Sequence, residues 1–85
     1  MATLTVIINE MKFNPQSIEI QVGDSVQWKN EMDFDHTSTS DDNTSWDTGH
    51  ILGKTTSVAK TPPKQGNYPY HCNIHPFMKG TVVVK

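Results

Sequence analysis

The sequence contains no arginine and only one cysteine, Cys72. A single cysteine cannot form a disulfide within the chain, which excludes a fold held together by disulfides. Seven lysines and nine acidic residues give a net charge of −2. The absence of arginine and of a basic stripe argues against nucleic-acid binding. No apolar run approaches the roughly 20 residues that a membrane-spanning helix requires, so we expect no membrane span.

Hydrophobic residues are also scarce, at 34% of the 85 residues. A chain of this length has room for one core, so we expect a single domain over residues 1–85. A small hydrophobic core needs an additional source of stability, and a bound metal ion is one such source. The first residues, MATLTVIINE, lack the basic segment and small-residue cleavage site of a signal peptide, so none is expected in this sequence.

Short runs of β-branched and alternating apolar residues predict strands, and no segment shows a helical period. Residues 18–22, for example, place Ile18, Ile20 and Val22 on one face. Several such runs separated by turn residues indicate an all-β sandwich. The predicted strands are 3–9, 18–22, 25–30, 55–60, 67–72 and 80–85, with a long polar loop over 31–54 that includes a short strand near 36–40.

Acidic residues are concentrated in one part of that loop. A solvated polar loop is the simplest interpretation. The alternative is an acidic rim that steers a basic partner toward a nearby site. The acidic residues are Glu31, Asp33, Asp35, Asp41, Asp42 and Asp47.

The segment YHCNIHPFMKG, residues 70–80, combines a thiol, an imidazole and a thioether within a few residues. Cys72, His75 and Met78 have the spacing Cys-x-x-His-x-x-Met. Two histidines and a cysteine in a plane, with a weak axial methionine, form a blue-copper electron-transfer site. The segment therefore predicts a copper site that requires one more histidine from elsewhere in the chain.

Three histidines are candidates for the missing ligand. Strand alternation directs His71 away from the side of Cys72. His50 lies between two predicted strands, where we expect it at the surface, and no spacing supports a second copper ion there. His36 follows the strand over 25–30 and is expected to face Cys72, so it is the best candidate.

The same residues allow other functions. A lone cysteine is often only a small buried hydrophobe, and zinc is compatible with a cysteine and two histidines. A copper carrier or storage protein would use the same ligands but exchange Cu(I). An open copper site could react with a small molecule such as nitric oxide. A cysteine hydrolase is disfavoured, because no helix or glycine turn behind Cys72 supplies an oxyanion site.

Two segments resemble the cupredoxins. Residues 11–37, MKFNPQSIEIQVGDSVQWKNEMDFDHT, resemble the N-terminal half of the family, with Phe-x-Pro, an alternating strand, Gly-Asp, Val-x-Trp-x-Asn and a histidine. Residues 68–85, YPYHCNIHPFMKGTVVVK, resemble the C-terminal half. The short loop His-Cys-x-x-His-Pro-Phe-Met-x-Gly is most similar to that of the amicyanins, with the plastocyanins next.

The resemblance implies a Greek-key β-sandwich of seven to eight strands that carries one type 1 copper ion. It also implies a soluble one-electron carrier, not an enzyme, that cycles between Cu(II) and Cu(I). The implied equatorial ligands are His36, Cys72 and His75, and Met78 is the implied axial ligand. Membership of the cupredoxin family would favour a periplasmic or otherwise extracytoplasmic location.

The resemblance also implies how the protein meets its partners. Redox proteins are expected to dock transiently on an apolar patch around His75, Pro76 and Phe77, and the carrier is expected to be a monomer. One departure concerns the residue after the first histidine, which is usually an asparagine that links the two ligand loops. Here it is Thr37, and its hydroxyl is the group available for that link.

Overall fold

The protein is built from seven strands in a computed structural model that describes residues 1–85. None of its elements is a helix long and apolar enough to span a membrane. The strand count agrees with the seven to eight that were predicted. The strands are β1 (Thr3–Asn9), β2 (Lys12–Asn14), β3 (Ser17–Ile20), β4 (Ser25–Asn30), β5 (Thr39–Ser40), β6 (Gly66–His71) and β7 (Lys79–Val84).

The strands form two sheets, which confirms the predicted β-sandwich. One sheet has the order β2-β1-β4 and the other has the order β3-β7-β6-β5. β1 pairs with β4 in parallel, so that Val6 lies opposite Trp28, and β3 pairs with β7 in parallel. β6 and β7 are antiparallel, with Tyr70 opposite Gly80. The parallel pairs require the chain to cross between sheets, since a hairpin joins only antiparallel strands.

Alternate residues of the strands point inward and form the core. In β1 the buried positions are Val6 and Ile8, and in β4 they include Val26 and Trp28, as the two-residue period of a strand requires. Burying a side chain of this kind stabilises the fold by roughly 1.5–3 kcal/mol relative to leaving it exposed. The core cluster is Val6, Ile8, Phe13, Ile20, Val26, Trp28, Trp46, Ile51, Tyr68, Tyr70, Cys72, Met78, Val82 and Val84.

Tyr70 lies at the centre of an aromatic group next to the end of β6. Its ring contacts Phe13 edge-on, with centroids 4.7 Å apart, and Trp28 with centroids 5.4 Å apart. Burial raises the pKa of the Tyr70 hydroxyl far above its ordinary value. Gly80 makes room for the ring, because a Cβ at that position would lie 2.5 Å from the Tyr70 Cζ. The ring therefore fixes β6 two residues before Cys72.

One predicted strand ends earlier than expected. The strand over 18–22 stops at Ile20, and the Val22 side chain is 59% exposed. The Asp24 carboxylate accepts hydrogen bonds from the backbone nitrogens of Gln21 and Ala2. These bonds hold a turn in place of the strand, and they lower the pKa of Asp24.

One further predicted strand does not form, and one observed strand was not predicted. Residues 55–60 do not form a continuous strand and make only isolated bridges, from Thr56 to Lys29 and from Lys60 to Val26. β2 was not predicted, because three residues are too few to show a period. The remaining predicted strands agree with the structure to within one or two residues, apart from the short strand near 36–40, of which only Thr39–Ser40 forms.

Candidate metal centre

The end of β6 delivers Cys72 into the core, where its side chain is fully buried. The Cys72 sulfur accepts a hydrogen bond from the backbone nitrogen of Thr37 at 3.3 Å and another from the backbone nitrogen of His75 at 3.4 Å. Metals bind the thiolate form of a cysteine. Both the segment after β4 and the loop after β6 therefore position this atom.

Two imidazoles face the same sulfur. The Nδ1 atoms of His36 and His75 each lie 3.8 Å from the Cys72 sulfur. The potential ligand atoms of these three residues all lie within 4.8 Å of one another. His36 is completely buried, whereas His75 is partly exposed at the surface. The predicted trio thus comes together, with one imidazole inside and one at the edge.

His36 is held by a bridge to the segment around residue 51. Its backbone nitrogen donates to the Ile51 carbonyl, and the Ile51 nitrogen donates to the His36 carbonyl. The Asn30 side chain reinforces this bridge, because its Nδ2 donates to the carbonyls of Phe34 and Ile51. Asn30 is fully buried at the end of β4, so it fixes the path by which the chain reaches His36.

The electrostatic surroundings keep the His36 imidazole neutral. Burial lowers the pKa of His36, and the neighbouring His75 lowers it further. A metal-binding imidazole must be neutral, because the proton occupies the same lone pair as the metal. His36 is therefore in the protonation state that can bind a metal ion. Its second ring nitrogen, Nε2, is buried and has no protein acceptor.

Met78 closes the loop that begins at Cys72. The backbone nitrogen of Cys72 donates to the Met78 carbonyl at 3.1 Å, and the Met78 nitrogen donates to the His75 carbonyl at 2.9 Å. The Met78 side chain is only 2% exposed and belongs to the core cluster. The loop is therefore a closed turn that places the thioether-bearing residue beside the cysteine.

The spacing of the donor atoms fits a single metal ion. With a metal about 2.0 Å from an imidazole nitrogen and about 2.3 Å from a thiolate, the nitrogen and sulfur lie about 3.7 Å apart at a trigonal angle and about 3.5 Å apart at a tetrahedral angle. Both observed distances are 3.8 Å, close to the separation expected for two ligands of one ion. A thiolate with two imidazoles suits copper, so the residues present fit one copper ion.

The Thr37 hydroxyl links the two ligand segments. It accepts a hydrogen bond from the backbone nitrogen of Asn73 at 2.8 Å. Thr37 follows His36 and Asn73 follows Cys72, so this bond joins the residues next to two of the three donors. The sequence suggested Thr37 for this link, but it gave no sign that Asn73 would be the partner.

The other two histidines point elsewhere. The His71 ring contacts the Asp41 carboxylate through Nδ1 and the Asn73 side-chain oxygen through Nε2. His50 is exposed, and its Nδ1 lies 3.4 Å from an oxygen of Asp35. Neither belongs to the group of donors around Cys72. These positions agree with the expectation that neither histidine faces the metal centre.

The acidic residues of the 31–47 segment are all engaged by neighbours within the protein. Two form ion pairs with lysines, two contact histidine rings, and two accept hydrogen bonds within their own loop. Such surface pairs contribute little to stability, but they reduce the negative charge available to a partner. The pairs and bonds are Glu31–Lys29, Asp33–Lys54, Asp35–His50, Asp41–His71, Asp42 with Ser40, Thr44 and Ser45, and Asp47 with Thr39 and Gly49.

Nearly the whole chain is similar to a known protein family and to proteins named amicyanin. Residues 1–84 match the family model described as a cupredoxin-like domain. The sequence is 32% identical to amicyanin from Paracoccus denitrificans over 96% of this chain and 65% of that protein. It is 38% identical to amicyanin-alpha from Methylorubrum extorquens over 92% of this chain and 68% of that protein. The chain thus spans about two thirds of the length of these relatives.

Solved amicyanin structures share the fold. A structure of an amicyanin mutant with Cu(I) superposes with a TM-score of 0.87 at 27% identity, over 98% of this chain and 82% of the other. A reduced amicyanin mutant superposes with a TM-score of 0.84 at 30% identity, over the same shares of the two chains. Together with the family match, these similarities show that the chain belongs to the cupredoxin-like domain family.

Proposed function

We propose that this protein is a one-electron carrier with one type 1 copper ion. The proposed in-plane ligands are His36, Cys72 and His75, and the proposed axial ligand is Met78. The observation that carries the proposal is the pair of equal distances, 3.8 Å, from the Cys72 sulfur to the two Nδ1 atoms. The similarity to an amicyanin structure with Cu(I) supports the choice of metal.

The residues around the site suit electron transfer. When bound, copper supplies the chemistry by changing between Cu(II) and Cu(I). Cys72, His36 and Met78 are buried, so the protein excludes water from the donor atoms. The hydrogen bonds from the backbone of Thr37 and His75 hold the sulfur in position. Because the donors are fixed by the fold, little has to rearrange when one electron arrives or leaves.

His75 is the proposed route for electrons. It is the only one of the three in-plane donors that is not fully buried, and its ring contacts Phe77 with centroids 6.2 Å apart. Electrons exchanged at this edge cross the shortest thickness of protein. We also propose that the protein is not an enzyme, because the buried side chains of His36 and Cys72 keep substrates away from the donor atoms.

The proposed docking surface is the apolar patch around His75, Pro76 and Phe77. The segments that carry the donors also carry several exposed apolar side chains, and transient redox complexes use small surfaces of this kind. Met11 lines the same surface cleft as Phe77, which extends the patch on one side. The exposed large apolar side chains on these segments are Phe34, Ile74 and Phe77, and Leu52 is exposed on the segment that pairs with His36.

The similarity to amicyanins supports three further parts of the proposal. The protein would work outside the cytoplasm, in the periplasm or an equivalent compartment. It would act as a monomer that exchanges electrons with other redox proteins. It would not bind nucleic acid. The amicyanin relatives are longer than this chain, so these statements concern the domain that residues 1–85 form.

Redox cycling in the presence of a Cu(I) chelator tests the proposal. The copper-loaded protein is reduced and reoxidised repeatedly while a strong Cu(I) chelator captures any released metal. An electron carrier keeps its copper through many cycles, because the buried donors hold both oxidation states. Transfer of the copper to the chelator at each reduction would contradict the proposal and favour a copper carrier or storage protein.

A further inference from the structure

The Thr39 hydroxyl is a junction of three hydrogen bonds beside the metal centre. Thr39 is only 3% exposed. Its Oγ1 lies 3.0 Å from the Asp47 Oδ1, 3.3 Å from the Thr37 Oγ1 and 3.1 Å from the Asn73 Nδ2. Partners that lie 2, 8 and 34 residues from Thr39 in the sequence therefore meet at one buried hydroxyl.

The chemistry of the groups fixes the direction of each bond. An ionised carboxylate only accepts hydrogen bonds, so the single Thr39 proton points to Asp47. Thr39 must then accept from the Thr37 hydroxyl and from the Asn73 amide. The Thr37 oxygen in turn accepts from the backbone nitrogen of Asn73. The result is a chain of donors that runs from Asn73 through Thr37 and Thr39 and ends on Asp47.

Asp47 is itself held in place. The same Oδ1 accepts a hydrogen bond from the backbone nitrogen of Gly49 at 2.9 Å. An isolated bridge also pairs Asp47 with Thr39 across the loop. The carboxylate is therefore an anchored end point for the chain, even though the residue lies at the surface.

This chain of hydrogen bonds begins next to the sulfur that the proposed function requires. Asn73 follows Cys72, and the Thr37 nitrogen donates directly to the Cys72 sulfur. We propose that Thr39 and Asp47 are positioning residues, which set the place of the Cys72 sulfur through Thr37 and Asn73. This inference rests on the proposed function, because it gives Cys72 the role of a metal ligand. Asp47 is not part of the group of donors around Cys72, and Thr39 contacts Thr37 and Asn73, which follow two of those donors in the sequence.

Two pairs of variants test the inference. Thr39→Val removes the hydroxyl and keeps the shape, and Thr39→Ser restores the hydroxyl. Asp47→Ala removes the end of the chain from the surface. Asp42→Ala is its matched control, because Asp42 accepts hydrogen bonds from the neighbouring Ser40, Thr44 and Ser45 but takes no part in the chain.

Two measurements are made on each variant. In the metal-free protein, the rate at which a thiol reagent labels the buried Cys72 reports how often the site opens. In the Cu(II)-loaded protein we expect two visible bands, a strong one toward the red end of the spectrum and one at shorter wavelength, and their ratio reports the geometry at the sulfur. We expect Thr39→Val and Asp47→Ala to raise the labelling rate about fivefold, the factor for one lost hydrogen bond of typical strength, and to change the band ratio.

The controls decide the outcome. Thr39→Ser and Asp42→Ala should keep the wild-type labelling rate and band ratio. If Asp47→Ala behaves as Asp42→Ala does in both measurements, the inference is overturned. Asp47→Ala carries the test alone if Thr39→Val does not fold, since Asp47 is at the surface. A wild-type protein without the visible bands would instead refute the proposed function, so the two failures are distinguishable.

Discussion

The Cys72 sulfur lies 3.3 Å from the backbone nitrogen of Thr37 and accepts its hydrogen bond. Thr37 follows the buried imidazole of His36, so the residue next to one proposed ligand orients another. A sulfur held from two directions cannot move far when its charge changes. This relationship explains how a chain of 85 residues with a thin core can present a rigid set of donors.

Met78→Leu tests the proposed axial ligand. Leucine has nearly the same volume, so the metal-free protein should lose less than about 1.5 kcal/mol of stability. We expect copper still to bind and the reduction potential to rise, because the lost thioether stabilises Cu(II) more than Cu(I). Voltammetry measures the potential, and Met32→Leu is the control for a methionine outside the donor group. Equal potentials for the wild type and Met78→Leu would exclude an axial bond.

Phe77→Asp tests the proposed docking patch without requiring a known partner. The rate of electron exchange between oxidised and reduced copies can be measured by NMR line broadening. Two copies that meet through the patch would bring two aspartates together, so we expect a decrease on the order of tenfold, equivalent to about 1.4 kcal/mol.

Val22→Asp is the matched control for that measurement. Val22 is 59% exposed and Phe77 is 69% exposed. Val22 precedes β4, whose other end leads to His36, and a strand of this length spans roughly 20 Å. The control should leave the exchange rate almost unchanged. A similar decrease in both variants would show that net charge, and not the patch, governs the exchange.

Gly80→Ala tests how the fold supports the end of β6. The new Cβ would lie 2.5 Å from the Cζ of the Tyr70 ring, which is packed on its other sides. Overpacking of this kind costs about 1–3 kcal/mol, and urea unfolding of the metal-free protein measures it. Lys79→Ala on the same strand should stay within about 0.5 kcal/mol of the wild type. A fully stable Gly80→Ala protein would mean that the ring can move aside.

The pH dependence of stability tests the burial of His36. The pKa of His36 is lowered in the folded protein, so between that value and about 6.5 the unfolded chain binds more protons. The metal-free protein should therefore become less stable as the pH falls below about 6.5. His36→Gln should show a shallower dependence in urea unfolding at pH 5, 6 and 7. Identical slopes for the two proteins would contradict a buried neutral imidazole.

The sequence predicted the parts of the site that depend on local spacing. Cys72 and His75 are three residues apart, so one turn brings them together. His36 could be chosen over His50 and His71 because strand alternation and the position of the preceding strand decide which way a side chain points. The same two-residue period identified most strands of the sandwich.

The contacts that join distant segments could not be predicted. Asn30 binds the Ile51 carbonyl across 21 residues, and Asn73 binds the Thr39 hydroxyl across 34 residues. Polar residues in a loop show no period, so nothing in the sequence indicates which hydroxyl or amide will be buried. The polar 31–54 segment looked like a solvated loop, but its Thr39 is a buried junction.

The visible absorption spectrum of the Cu(II)-loaded protein tests the central claim most directly. The account predicts a strong band toward the red end of the spectrum that disappears with ascorbate, returns on reoxidation and is absent from Cys72→Ser. That result would establish a bond between copper and the Cys72 thiolate in an ion that cycles by one electron. A weak or absent band in protein that has bound copper would show that Cys72 is not a type 1 ligand, and would contradict the account.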